Sequence, residues 1–282
     1  MDSLIDLHVH TTFSDGTLTP GEVVNCAADL GLKAISITDH DTTEGVFAAQ
    51  RAAERFDLEV VPGIEISTRL QTAVHILGYY IDPNSIELRQ ALSAIVKERD
   101  IRNRRICERM ELDGLPVSYD EMKFRFGNVI GRPHFATILV ELGLAESVQE
   151  GFQRYLNRGK RYFQPRSFLS LSESIAVILR SGGLPVLAHP FQYRLMDSQL
   201  RELIVHCIDL GLKGIECRYS GYSQEQSRYL LGLSEEYRLK PTGGSDFHGL
   251  NKPQIQLGSG TGDLQVPYSY LRQIKEELNI AL

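Results

Sequence analysis

A small set of short motifs in this chain carries residues able to bind cations. His8 and His10 form a His-x-His pair within Asp6-Leu7-His8-Val9-His10. Asp15 follows in Ser14-Asp15-Gly16, His40 in Thr38-Asp39-His40-Asp41 and Glu65 in Pro62-Gly63-Ile64-Glu65. His75 lies in an apolar run, His189 in Ala188-His189-Pro190, and Asp246 with His248 in Gly244-Ser245-Asp246-Phe247-His248. Strand alternation places Asp6, His8 and His10 on one face, so two imidazoles can share an ion. Taken singly, each signal is weak. His-x-His also ends ordinary polar strands, a lone His75 or His189 is more often a satisfied core or surface residue, and Ser-Asp-Gly is usually a turn. Taken together they point to metal, because these nine imidazole and carboxylate groups cannot crowd one place without cations to balance them. His206 is the contrast: it falls off the apolar stripe of its helix, far from any strand end, and reads as a surface residue.

Mixed imidazole and carboxylate ligation without thiolate suits Mn, Zn or Fe, with the hard oxygens favouring Mn²⁺. Nine ligands exceed the needs of one ion, so two or three divalent ions are expected. Adjacent ions would acidify a water and neutralise phosphate oxygens at neutral pH.

The elements that must position these groups are short apolar, β-branched runs alternating with amphipathic stretches. Strands are expected over 4–9, 33–38, 58–66, 73–80, 184–188, 213–218 and 240–244. Helices are expected from Pro20 to Gly31, over 43–56 and over 198–210. This alternation implies a mainly parallel sheet, open or closed into a barrel, and such sheets build their sites at the C-terminal ends of strands. Five of the seven expected strands deliver their candidate ligands there. Between Tyr80 and Leu184 the strand signal disappears. One long helix is expected over 86–110, then shorter ones over 119–126, 134–142 and 147–156. The organisation expected is a barrel part over 1–97, an all-α insertion or cap over 98–180, and a second barrel part over 181–282.

With 282 residues, 42% hydrophobic and 23% charged, the chain can bury a full core. Its net charge of −6 argues against nucleic-acid binding by general basicity. The average hides a division: residues 97–166 hold 14 Lys/Arg against 10 Asp/Glu, so the cap is suited to meet an anion. Solvated helix faces are the plainer reading of the same charges. No apolar run approaches the ~20 residues needed to span a bilayer. The N-terminus has no basic n-region and does not read as a signal peptide. Four scattered cysteines without C-x-x-C pairing suggest free thiols in a reducing compartment, so the cytoplasm is expected. No obligate protein partner is indicated.

The motifs Asp6-Leu7-His8-Val9-His10-Thr11, Thr38-Asp39-His40, Gly63-Ile64-Glu65, His75, Ala188-His189-Pro190 and Gly244-Ser245-Asp246-Phe247-His248 resemble those of the polymerase-and-histidinol-phosphatase (PHP) family, in family order. The resemblance implies an α/β fold, a distorted seven-stranded (β/α)7 barrel, with a two- or three-metal site. It implies that His8, His10, Glu65 and Asp246 hold one metal, that Asp15, His40 and His248 hold a second, and that Glu65, His75 and His189 hold a third, with Glu65 bridging. Asp15, His40, Asp246 and His248 are the catalytic residues expected. Many relatives carry His where this chain has Asp15.

The helical insertion and Gly131-Arg132-Pro133-His134 resemble the branch of nucleoside 3′,5′-bisphosphate phosphatases and 5′→3′ exoribonucleases more than the histidinol phosphatases. The resemblance therefore implies a metal-dependent phosphatase acting on a nucleotide phosphate monoester, with exoribonuclease action on short RNA as the alternative. A histidinol-phosphate-type phosphatase and a non-catalytic binding module are lesser alternatives. Arg102, Asn103, Arg132, His134 and Arg218 are candidate phosphate clamps, with Lys160 and Arg161 behind them, since the guanidinium fork matches phosphate. Arg218 ends the sixth expected strand and should face the mouth. Arg132 and His134 can equally form a helix-start turn.

Overall fold

The computed structural model describes residues 3–69, 73–127, 130–165 and 168–281. Met1 and Asp2, part of the N-terminal reading above, lie outside the described residues. The strands are β1 (Leu4–Val9), β2 (Ala34–Ile37), β3 (Glu59–Arg69), β4 (Ala73–Tyr79), β5 (Leu184–Leu187), β6 (Gly214–Tyr219), β7 (Lys240–Gly244) and β8 (Val266–Pro267). Helices α1 (Pro20–Asp29) and α2 (Glu44–Ala53) flank the first strands. Helices α3 (Ile86–Leu112), α4 (Tyr119–Phe126), α5 (Arg132–Glu141) and α6 (Val148–Gly151) follow β4, with a π-helical turn over Phe152–Leu156. Helices α7 (Leu171–Arg180), α8 (Asp197–Asp209), α9 (Gln224–Glu236) and α10 (Tyr268–Glu277) accompany the second half.

The sheet order is β7-β6-β5-β4-β3-β2-β1-β8. β1 also meets β7: Asp246 N–H donates to His8 O at 2.8 Å and His10 N–H to Phe247 O at 2.9 Å, so the sheet nearly closes into a barrel. The expected seven strands are corrected to eight among the described residues, because β8 adds two residues antiparallel to β1, too few to show any periodicity. The simple (β/α) repeat is broken as well. β3 and β4 are antiparallel, since only residues 70–72 separate them and a parallel pair needs a long crossover. This reversal matters for the site: it puts the start of β4, where His75 lies, at the same end as the finish of its neighbours.

Three apolar clusters surround the sheet, and a fourth joins the end of α3 to the helices after it. That cluster gathers Ile106, Cys107 and Met110 of α3 with Tyr119, Phe135, Leu139 and Leu156. The first turns of α3 lie elsewhere. Leu88, Leu92 and Ile95 share the barrel-side cluster with Ile64, Ile76 and the α7 residues Ile175 and Ile178. Helix starts are locally encoded, as at α1, where Thr19 and Glu22 form a capping box and Pro20 opens the helix.

Candidate metal centre

All nine candidate ligands converge at one end of the barrel. Glu65 lies at the centre. Its Oε2 is 3.4 Å from His8 Nε2, 3.3 Å from His10 Nε2 and 3.0 Å from His40 Nδ1. Its Oε1 is 2.8 Å from His75 Nδ1 and 2.9 Å from His189 Nε2. Asp246 Oδ1 stands 3.6 Å from His8 Nε2, 3.2 Å from His10 Nε2 and 3.4 Å from His248 Nδ1. Asp15 lies 3.2 Å from His248 Nε2 and 4.0 Å from His40 Nε2. Four overlapping groups have ligand atoms within 4.8 Å of one another: His10–Asp15–His40–His248, His8–His10–Asp246, His8–Glu65–His189 and His40–Glu65–His75.

The donor atoms fit metal ions. His8 Nε2, His10 Nε2, His40 Nδ1, His189 Nδ1 and Asp15 Oδ1 are buried without a hydrogen-bond partner. Unpaired buried polar atoms are costly, and three of these nitrogens crowd one oxygen of Glu65 without bonding it. A cation between them would satisfy all three. The groups overlap through Glu65, His8, His10 and His40, which suits multiple adjacent divalent ions better than one.

Supporting residues aim the ligands. Glu216 Oε1 lies 2.9 Å from His8 Nδ1, which fixes that nitrogen as the N–H and frees Nε2 for a cation. The other Glu216 oxygen accepts the His189 N–H at 2.7 Å. Asp39 accepts from Thr11 N–H, Thr11 Oγ1 and Ser14 Oγ, tying the Asp15 turn to the end of β2. Gly16 lets that turn fold back: a Cβ there would lie 2.4 Å from His10 O. Asp246 (φ 58°) and His189 (φ 26°) hold backbone conformations that cost about 1–3 kcal/mol each, strain of the kind kept at functional sites.

The charges are mutually dependent. Burial opposes ionising Glu65, yet His40, His75 and His8 hold its carboxyl well below the usual range. Burial likewise opposes a charged Asp246, but Lys252, His248 and His8 keep it ionised. Burial lowers the His10 pKa, and the neighbouring carboxylates of Asp246 and Glu65 more than reverse this, to about 9. Burial wins at His40, whose pKa falls to about 3 against the raising pull of Glu65 and Asp15.

Two expectations are corrected. Asp6 does not share a face with His8 and His10, because the β1–β2 pairing slips between Asp6 and Val9. Its carboxylate instead accepts from Ser245 Oγ, Ser245 N–H and Gly258 N–H. Arg218 does not turn to the mouth. The β6–β7 pairing slips between Glu216 and Arg218, and Arg218 donates to Gln265 O and Tyr270 Oη instead. Tyr219 takes the inward place, its hydroxyl 2.6 Å from Asp246 Oδ2.

The other clamp candidates lie in the helical segment that follows β4. Arg102 and Asn103 are buried on α3, and Asn103 donates to Ile130 O just before α5. His134 is buried, accepts the Gly131 N–H at 2.9 Å and stacks on Phe126, so it does form a helix-start turn. Burial lowers its pKa, against a raising pull from Asp15. Arg132 lies over Phe152. Arg161 pairs with Asp113 at the surface, and Lys160 is exposed. Sequence reasoning missed Glu216, Tyr219, Lys252 and Arg99. Buried Arg99 binds Asp41 at 2.6 Å, one residue past His40. Glu216 left a trace, an acidic residue inside the apolar run Gly214-Ile215-Glu216-Cys217; the others belong to no motif.

A barrel mouth packed with imidazoles and carboxylates, with buried Arg99 bound to Asp41 beside His40, suits a metal-dependent hydrolase. The PHP domain matches residues 6–166, more than half of the chain. The chain belongs to the PHP family and is a metal-dependent phosphoester hydrolase. It is 36% identical to the 5′-3′ exoribonuclease Rnm of Salmonella typhimurium, over 90% of this chain and 88% of that protein. It is 33% identical to the 3′,5′-nucleoside bisphosphate phosphatase of Chromobacterium violaceum, over 86% and 87%. A solved structure from Bifidobacterium adolescentis, described as a candidate metal-dependent phosphoesterase, superimposes with a TM-score of 0.84 at 33% identity, covering 97% of this chain and 96% of that one.

Proposed function

We propose that the protein removes one phosphate from a nucleoside 3′,5′-bisphosphate, releasing a 5′-nucleotide, with the nine ligands holding two or three divalent ions, preferably Mn²⁺. The observation that carries this reading is a second set of buried polar groups, on α3, that starts at Asp41 beside His40. Arg99, Arg102 and Asn103 share one face of α3, anchored at Asp41 beside His40 at one end and at Ile130 before α5 at the other. One anion is expected at the metals; buried cap donors suit another on the same substrate.

Bound ions would activate a water and neutralise phosphate oxygens. The chain's own residues orient the donors: Glu216 fixes the His8 ring, and Tyr219 holds one oxygen of Asp246 so that the other faces the histidines. Asp15, His40, Asp246 and His248 are the groups we assign to the reaction. Four free cysteines, three of them buried, are in keeping with a cytoplasmic protein, and no helix among the described residues is long and apolar enough to cross a membrane.

The second reading, exonucleolytic release of 5′-nucleotides from short RNA, is favoured by the similarity to the Rnm exoribonuclease. Turnover of 3′-phosphoadenosine 5′-phosphate and of a 5′-phosphorylated oligoribonucleotide, measured with Mn²⁺, separates the two. A higher kcat/KM on the oligonucleotide would reverse our order. Charge-assisted contacts contribute about 1.5–3 kcal/mol each. Arg102→Ala should therefore lower the kcat/KM ratio of bisphosphate to simple aryl phosphate by about tenfold or more. An unchanged ratio would remove Arg102 from the substrate site.

A further inference from the structure

Lys252 stands on the loop that follows the Asp246–His248 motif, opposite in chain position to everything the cap supplies. Its Nζ lies 2.6 Å from Asp246 Oδ2. The other oxygen of Asp246 faces His8, His10 and His248. One carboxylate group thus separates the ammonium from the cluster of candidate ligands. The loop is pinned to both ligand-bearing turns at this side of the barrel. Leu250 N–H donates to Thr17 Oγ1 at 2.9 Å, Asn251 Nδ2 to Asp15 O at 2.7 Å, and Thr17 N–H to His248 O at 3.2 Å. Gly249 (φ 63°) allows this contact, since a Cβ there would come 2.1 Å from Thr17 Oγ1.

The placement is paradoxical for a site that must take up cations. A lysine against a ligand carboxylate repels incoming metal and competes for Asp246, so on its own it weakens metal binding. The Lys252 side chain is 36% exposed, so the ammonium can reach a molecule entering the mouth. An arriving phosphate resolves the conflict: it brings negative charge to the metals and to the ammonium together, and lysine is a compact donor for phosphate oxygen.

We propose that Lys252 is a catalytic residue that donates hydrogen bonds to the peripheral oxygens of the phosphoryl group being transferred, gripping it from the β7 side while the cap holds the rest of the substrate. This rests on the phosphoester hydrolase reading. No covalent step passes through Lys252.

The test uses the full-length, Mn²⁺-loaded protein and the variants Lys252→Met and Lys252→Arg. Metal content, melting temperature, vanadate affinity, and kcat and KM on an aryl phosphate and on a nucleoside bisphosphate are compared. The expected result is a fall in kcat/KM of about a hundredfold on both substrates in Lys252→Met, weaker vanadate binding and unchanged metal stoichiometry, with partial recovery in Lys252→Arg. Turnover and vanadate affinity equal to wild type would overturn the proposal. So would a loss of activity that tracks loss of metal, which would make Lys252 only a counter-ion of Asp246. A wild-type protein that hydrolyses neither ester would instead overturn the hydrolase reading, and vanadate affinity would still decide whether Lys252 grips a phosphate-like anion.

Discussion

Glu65 connects the metal groups, because its two oxygens serve different imidazoles: His8, His10 and His40 on one side, His75 and His189 on the other. Glu65→Gln keeps the shape of the side chain and removes its charge. We expect elemental analysis of that variant to show the loss of more than one ion per chain relative to wild type; retention of all but one would mean that the groups fill independently. His10 leads to a pH prediction for the metal-free protein. Its pKa in the folded protein is about 9, above the ordinary 6.5. The stabilisation this supplies is complete below 6.5 and is lost as pH rises towards 9. The chelated protein should therefore melt lower at pH 9 than at pH 6.5. Loading with Mn²⁺ should reverse the order, since protons then compete with metal for the same nitrogens. Melting curves with chelator and with Mn²⁺ at the two pH values test both halves of this.

At the scale of elements, the site depends on close approaches between strands. Gly244 ends β7 directly against β1, where a Cβ would lie 2.4 Å from the backbone N of His8. Gly244→Ala must push β7 off β1 or distort the His8 segment, at a cost of about 1–3 kcal/mol. Chemical denaturation should show that loss, together with reduced metal content; a variant as stable and as metal-rich as wild type would show that β1 and β7 can yield. This dependence explains what was legible in the sequence. The gathering of candidate ligands at strand ends could be read from it, because strand, turn and ligand are adjacent in the chain, as in Ala188-His189-Pro190. The facing of Asp6 and Arg218 could not. Both depend on pairing slips, between Asp6 and Val9 in β1 and between Glu216 and Arg218 in β6, that arise from the neighbouring strand. β8 and Lys252 escaped notice for a related reason: two strand residues and a single loop lysine carry no pattern until distant segments meet.

For the molecule as a whole, the surplus positive charge of the cap divides in two. At its surface Arg125 pairs with Glu141, Arg154 with Glu150, Lys123 with Asp100 and Arg161 with Asp113. Those pairs are the solvated faces that the plainer reading of the charges expected, while Arg99 and Arg102 are buried, Arg99 against Asp41, one residue past His40. The helix that carries these two arginines has a mechanical consequence. α3 runs unbroken for 27 residues, roughly 40 Å, and places Leu88, Leu92 and Ile95 among barrel side chains but Ile106, Cys107 and Met110 among those of the cap. A hinge between the two would have to break hydrogen bonds within one continuous helix. Neither core can melt without fraying a helix that the other is holding. Calorimetry should accordingly record a single transition whose van't Hoff and calorimetric enthalpies agree; two resolved transitions would show that the halves of α3 unfold as separate structures.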